Sequence, residues 1–122
     1  MNKTEALYSF YSSFGLPAYE ENSVPKDAAM PYITYEVVTD SLSDYKTSIT
    51  AQLWYKSNSW VKCNALAEEL SERLRGGYRI KVDKGCMVLY TGTPFATNVP
   101  YEDDKTIKHK LINIECDYIT SS

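Results

Sequence analysis

Between residues 45 and 56 the chain alternates apolar and polar side chains with almost no interruption. Thr47, Ile49, Ala51, Leu53 and Tyr55 fall on one side of an extended strand, and Lys46, Ser48, Thr50, Gln52 and Trp54 on the other. Successive strand side chains point to opposite faces, so this pattern describes a sheet covered on one side only. The covering layer has to carry a matching apolar stripe. Residues 58–75 supply one: Trp60, Cys63, Ala67, Leu70 and Leu74 recur at helical spacing, Leu66 widens the row, and Glu68, Glu69, Ser71, Glu72 and Arg73 mark the wet side. Ser57, Asn58 or Ser59 can cap this helix, and Gly76-Gly77 stops it.

A shorter helix is predicted over 3–14, where Leu7, Phe10, Tyr11 and Phe14 share one face. Asn2 or Thr4 can cap it, and Gly15 followed by Pro17 ends it. The stretch 16–31 carries Pro17, Pro25 and Pro31 around Glu20-Glu21-Asn22-Ser23 and reads as an irregular, extended arm. Residues 32–39 alternate Ile33, Tyr35 and Val37 with Thr34, Glu36 and Val38, which predicts a strand in an antiparallel hairpin with 45–56 through a turn at 40–44. Strands follow at 78–83 and 86–91, the second almost wholly apolar and therefore central, with a tight turn at Lys84-Gly85. A long last strand is predicted over 105–119. Its apolar phase moves from Ile107, His109 and Leu111 to Ile112, Ile114, Cys116 and Tyr118, which predicts a bulge near Leu111. Residues 93–104 read as a long loop bounded by prolines. The expected architecture is one α+β domain over residues 1–122, in the order α-β-β-α-β-β-β. It would be a mainly antiparallel sheet of about five strands with both helices packed on one face.

At 43% hydrophobic and 24% charged residues the chain belongs to neither the disordered nor the membranous class. No apolar run approaches the roughly 20 residues that cross a bilayer, and the opening Met1-Asn2-Lys3-Thr4-Glu5 lacks the apolar core of a secretory leader. No membrane partner is expected, and synthesis and retention in a cytoplasm are. A net charge of −3 argues against nucleic-acid binding as the main task, because neutralising phosphates requires a basic surface. The local basic groups, Arg73, Arg75, Arg79, Lys81 and Lys84, and then Lys105, Lys108 and Lys110, read as a helix end and ordinary strand faces. Cys63, Cys86 and Cys116 are odd in number and widely spaced, which fits small buried hydrophobes better than a disulfide framework or a zinc site.

Catalytic chemistry finds no constellation here. The one histidine, His109, lies mid-strand among lysines and reads as an ordinary strand side chain rather than a general base. Glu102-Asp103-Asp104 could attract a cation, but an acidic run without ligand spacing reads as solvated. The glycines match no phosphate-binding loop. No catalytic, cofactor or metal residues are assigned.

What remains is an aromatic excess of eleven tyrosines and two tryptophans. Such rings give large rigid contact area with a polar handle and are enriched where proteins meet. Tyr8, Tyr11, Tyr35, Tyr55 and Tyr78 are assigned to the core with their hydroxyls at its rim. Tyr19, Tyr32, Trp54, Phe95 and Tyr101 are harder to place there. They are the candidate contact residues, with Glu102, Asp103 and Asp104 at a docking rim or lumen.

The order of elements, the approach Val24-Pro25-Lys26-Asp27-Ala28-Ala29-Met30-Pro31-Tyr32-Ile33-Thr34-Tyr35, the strand Ile49-Thr50-Ala51-Gln52-Leu53-Trp54-Tyr55 and the helix Asn64-Ala65-Leu66-Ala67-Glu68-Glu69-Leu70 together have a likeness. The chain resembles the tail terminator, or tail completion, proteins of long-tailed non-contractile bacteriophages, relatives of head–tail joining proteins. The resemblance implies a structural virion protein, assembled in the host cytoplasm. Copies would form a homo-oligomeric ring, a hexamer in that family, that caps the tail tube and offers the docking surface for the head connector and neck proteins. It implies no enzyme activity, no cofactor, and a lumen through which DNA passes without specific binding. An alternative inside the same neck is a head-completion or connector adaptor. A different class, a small enzyme or ligand-binding α+β domain, would require a pocket with convergent polar groups.

Overall fold

The computed structural model describes residues 1–37 and 47–120. Its elements are α1 (Lys3–Ser12), β1 (Ala18–Glu20), β2 (Tyr32–Tyr35), β3 (Thr47–Lys56), α2 (Val61–Leu74), β4 (Tyr78–Val82), β5 (Gly85–Val99) and β6 (Ile107–Thr120). They build a six-stranded sheet in the order β1-β2-β3-β6-β5-β4. The α+β class and the mainly antiparallel sheet are as expected. The strand count and element order are not, because β1 is an additional strand inside the stretch read as an arm.

The reason for β1 is backbone pairing rather than side-chain pattern. It runs parallel to β2, with Ala18 opposite Ile33 and Glu20 opposite Tyr35. The Ile33 amide donates to the Pro17 carbonyl at 2.9 Å, and the Glu21 amide to the Tyr35 carbonyl at 2.9 Å. The edge of β2 thus has its hydrogen bonds satisfied by a strand too short to invite further pairing. The opposite edge, β4, exposes Arg79 and Lys81, and edge charge also discourages association of sheets.

The last strand, β6, enters the middle of the sheet. Its register with β3 is unbroken from Thr47 opposite Cys116 to Lys56 opposite Ile107. The bulge expected near Leu111 is therefore absent from β6, and the irregularity lies in its other neighbour, β5. There Thr91 pairs with Ile114 and Ala96 with Ile112, leaving Gly92, Thr93, Pro94 and Phe95 against Asn113 alone. Gly92 is needed at this crossing, since a Cβ would sit 2.9 Å from the Asn113 carbonyl oxygen. The Asn113 side-chain Nδ2 donates back to the Pro94 carbonyl at 2.9 Å. Much of the expected 93–104 loop is consequently strand, up to Val99. The apolar phase change in β6 has a different meaning. Ile112, Ile114 and Cys116 lie beneath the helices, whereas His109 and Leu111 belong to the opposite face.

Both helices join one hydrophobic core with the strand residues of a single face. Leu7, Phe10 and Tyr11 of α1 and Cys63, Leu66, Leu70 and Leu74 of α2 are buried with Ile33, Ile49, Leu53, Met87, Leu89, Ile112 and Ile114. Helix α1 starts in a capping box: the Asn2 side chain accepts from the Glu5 amide, and Glu5 accepts from the Asn2 amide. Helix α2 has Trp60 at its N-cap position, with the Ser59 hydroxyl accepting from the Val61 amide at 3.1 Å. Trp60 is thus half-buried just ahead of the helix rather than inside its stripe. Gly76 and Gly77, both at positive φ, end it. Tyr11 stacks on Tyr35 with ring centroids 4.8 Å apart. Its hydroxyl is sealed without a partner, and burial pushes its ionisation far above the usual phenol range. Tyr8, expected in the core, is 53% exposed because it lies on the outer side of α1. The turn expected at 40–44 lies outside the described residues.

Candidate assembly surface

The face of the sheet away from the helices carries a row of rings that crosses four strands. Its positions follow from register. Tyr32 of β2 stands opposite Trp54 of β3, and Trp54 opposite His109 of β6. Tyr19 of β1 meets Tyr32 edge-on at 5.7 Å between centroids. Tyr32 lies tilted against Trp54 at 6.4 Å, and Trp54 stacks on His109 at 3.8 Å with 9° between planes. Directly opposed and diagonal cross-strand aromatics are within reach of one another, so the row orders itself.

Polar contacts fix the ring orientations. The Trp54 indole N–H donates to the Thr34 hydroxyl at 3.0 Å, and Thr34 itself is only 5% exposed. His109 Nε2 is hydrogen-bonded to Gln52 Oε1, and with that oxygen accepting, the proton sits on Nε2. Burial lowers the His109 pKa below the usual histidine value, so the stacked imidazole is neutral near pH 7. Burial raises the Tyr32 phenol above its usual value, with the nearby Tyr19 and Tyr101 hydroxyls adding to the shift. Tyr101, 40% exposed beyond the end of β5, therefore belongs to the same neighbourhood. These groups offer flat apolar area with hydrogen-bonding handles.

Of the residues singled out in the sequence, the structure brings Tyr19, Tyr32, Trp54 and Tyr101 together. Phe95 is elsewhere. It follows the bulge of β5, packs partly buried against the hydrophobic core, and lines a groove beside α2. The acidic run divides as well. Asp104 accepts from the Thr106 amide at 2.9 Å and the Thr106 hydroxyl at 2.6 Å, and lies 3.7 Å from the Lys56 ammonium. The bonds from Thr106, with the Lys56 charge adding to them, hold its carboxyl below the usual range. Asp104 thus closes the turn into β6. Glu102 and Asp103 remain exposed at the tip, with no ion-pair partner among the described residues.

The sequence reading missed His109 and Thr34 as members of this surface. The available signal was the apolar phase change in β6, which places His109 on the uncovered face. Only the β3–β6 register, invisible locally, sets it against Trp54. Among the described residues no three His, Cys, Asp or Glu side chains converge as a metal site would require. Comparison with known protein families, with curated proteins and with solved structures yields no match.

Proposed function

We propose that this protein is a structural subunit that assembles with copies of itself into a ring, as a tail terminator of a long-tailed phage does when it caps the tube and presents a docking surface to the head. The observation that carries the self-assembly part is the aromatic row. Four rings from four strands lie half-buried against one another on the sheet face that no helix covers. Tyrosine and tryptophan anchors of this kind dominate binding energies at interfaces. A row already ordered by stacking also loses little side-chain freedom on association. The phage assignment rests on the resemblance in element order and in the 24–35, 49–55 and 64–70 stretches. The net charge of −3 is compatible with a lumen that lets DNA pass.

Sedimentation velocity over a wide concentration range, with negative-stain imaging of the heaviest species, tests the reading. Closed rings are expected. A compact monomer at every concentration would overturn it. Replacing Tyr32 and Tyr101 together by Ala should abolish rings while the circular dichroism of the folded monomer persists. The phage assignment has its own readout, because tails assembled without a terminator should lose their defined length.

A further inference from the structure

Lys110 occupies an unusual place for a lysine. It sits on the helix-covered side of β6, opposite Leu53 of β3 and Asn98 of β5, and is only 7% exposed. Its ammonium lies 5.6 Å from the centre of the Trp60 ring and near Cys63. No carboxylate is within ion-pair distance among the described residues. Buried lysines are almost always paired. The ammonium is not sealed, however, because the Tyr11 hydroxyl is the one enclosed side-chain polar atom without a partner among the described residues. Lys110 instead opens into a groove of about 480 Å³ between α2 and the bulged part of β5. Asn64, Ser71 and the Glu68 carboxylate add polar groups to its wall, and Phe95, Ala96 and Ala67 an apolar side. That volume admits a side chain or two of an incoming segment.

We infer that this groove is a socket for the acidic tip of a neighbouring copy, with Lys110 pairing the carboxylate of Glu102 or Asp103. The inference rests on the self-assembly reading above and names its second patch. The charges complement each other. Among the described residues, Lys110 in the socket has no ion-pair partner, the Glu68 carboxylate on the same wall standing beyond ion-pair distance, and the tip, stiffened at its base by the Asp104–Thr106 bonds, holds two exposed carboxylates without one. Copies of a chain with net charge −3 repel one another at long range, so a local opposite-charge contact is what sets their orientation. Socket and tip are also unlike patches of one chain, which is what a head-to-tail ring requires.

The experiment measures self-association by sedimentation equilibrium for the full chain and its variants, with thermal melts as folding controls. Lys110→Met keeps the packing stem and removes the charge. It should weaken association roughly 30-fold or more, as removing one partner of a desolvated charge pair does. Glu102→Lys with Asp103→Lys should do the same, and adding Lys110→Glu to that pair should restore association. Should Lys110→Glu fail to fold, Lys110→Met combined with Glu102→Gln and Asp103→Asn should associate no more weakly than Lys110→Met alone. Assembly of the native chain with Lys110→Met unaffected overturns the socket and leaves the ring reading standing. Additive losses in that combination also overturn the socket. A native chain that never associates overturns both.

Discussion

Truncating Trp54 to Ala separates what the aromatic row contributes to the fold from what it contributes to contact. The side chain is half-buried, so its removal costs less than the roughly 3–5 kcal/mol of a fully buried tryptophan. Three contributions can be read off its surroundings. The 3.8 Å stack on His109 and the 6.4 Å contact with Tyr32 are each worth about 0.5–1.5 kcal/mol. The indole hydrogen bond adds about 1 kcal/mol, and the Thr34 hydroxyl, 5% exposed, is left to find another partner. The expected loss is about 2–4 kcal/mol. For a chain of this length that corresponds to a fall of roughly 8–16 °C in melting temperature. The assay is calorimetry at a concentration where sedimentation shows monomer only. Trp54→Phe keeps a ring and loses the N–H, so it should fall between the two. If Trp54→Ala melts within about 2 °C of the native protein, which is the range of ordinary surface substitutions, the ring is not held by Tyr32, His109 and Thr34. The row would then not be an ordered surface.

Leu70 is fully buried at the centre of α2, and Leu70→Ala should cost about 2–5 kcal/mol by urea denaturation; a loss under about 0.5 kcal/mol would remove it from the core. His109 binds its proton less readily folded than unfolded, so its contribution to stability is complete above the unfolded histidine value of about 6.5 and is lost as pH falls below it. The urea midpoint should therefore drop between pH 7.5 and 6.0, and His109→Gln should flatten that drop. Gly92→Ala should destabilise by about 1–3 kcal/mol, because its methyl would press on the Asn113 carbonyl. Phe95 lines the groove and Tyr101 adjoins the acidic tip proposed to enter it, so the effects of Phe95→Ala and Tyr101→Ala on ring formation, read from hydrodynamic mass, should couple rather than add.

The parts of the fold that the sequence announced are those whose periodicity is both long and one-sided. β3 shows period two over its whole length and α2 a continuous stripe, and each is the other's cover. β1 had no such signal. It is three residues between prolines, and what makes it a strand is the free edge of β2. Strand β5 beyond Thr91 was unreadable for a related reason. Thr93-Pro94-Phe95-Ala96-Thr97-Asn98-Val99 does not alternate, and Pro94 has no N–H to give, so local chemistry says loop. The extended state there is imposed by β6, whose length offers more pairing than the regular part of β5 can use. Nothing local places the final strand between β3 and β5 either, because both neighbours are distant in sequence.

The candidate surface was legible by elimination and assembled by register. Trp54 stood out as a large ring on the polar side of an otherwise clean alternation, and Tyr19, Tyr32 and Tyr101 as rings outside the helical stripes. Elimination says only that the core does not claim a residue. Phe95 stands apart from the row, because the bulge opposite Asn113 turns a ring that sequence places in a loop partly toward the core and into the wall of the groove beside α2. Lys110 reads from sequence as an ordinary strand-face lysine, since a lysine in a strand is taken as solvent-facing until β6 is known to be central and its even-numbered positions to lie under the helices. The two surfaces meet at one place in the chain. Tyr101 extends the neighbourhood of Tyr32 and is followed at once by Glu102 and Asp103, so the segment that completes the aromatic row also carries the free carboxylates. A short stretch with an aromatic anchor beside unpaired charge combines desolvation with orientation. That pairing, more than the number of tyrosines, is what makes the end of β5 the most economical place for one copy to hold the next.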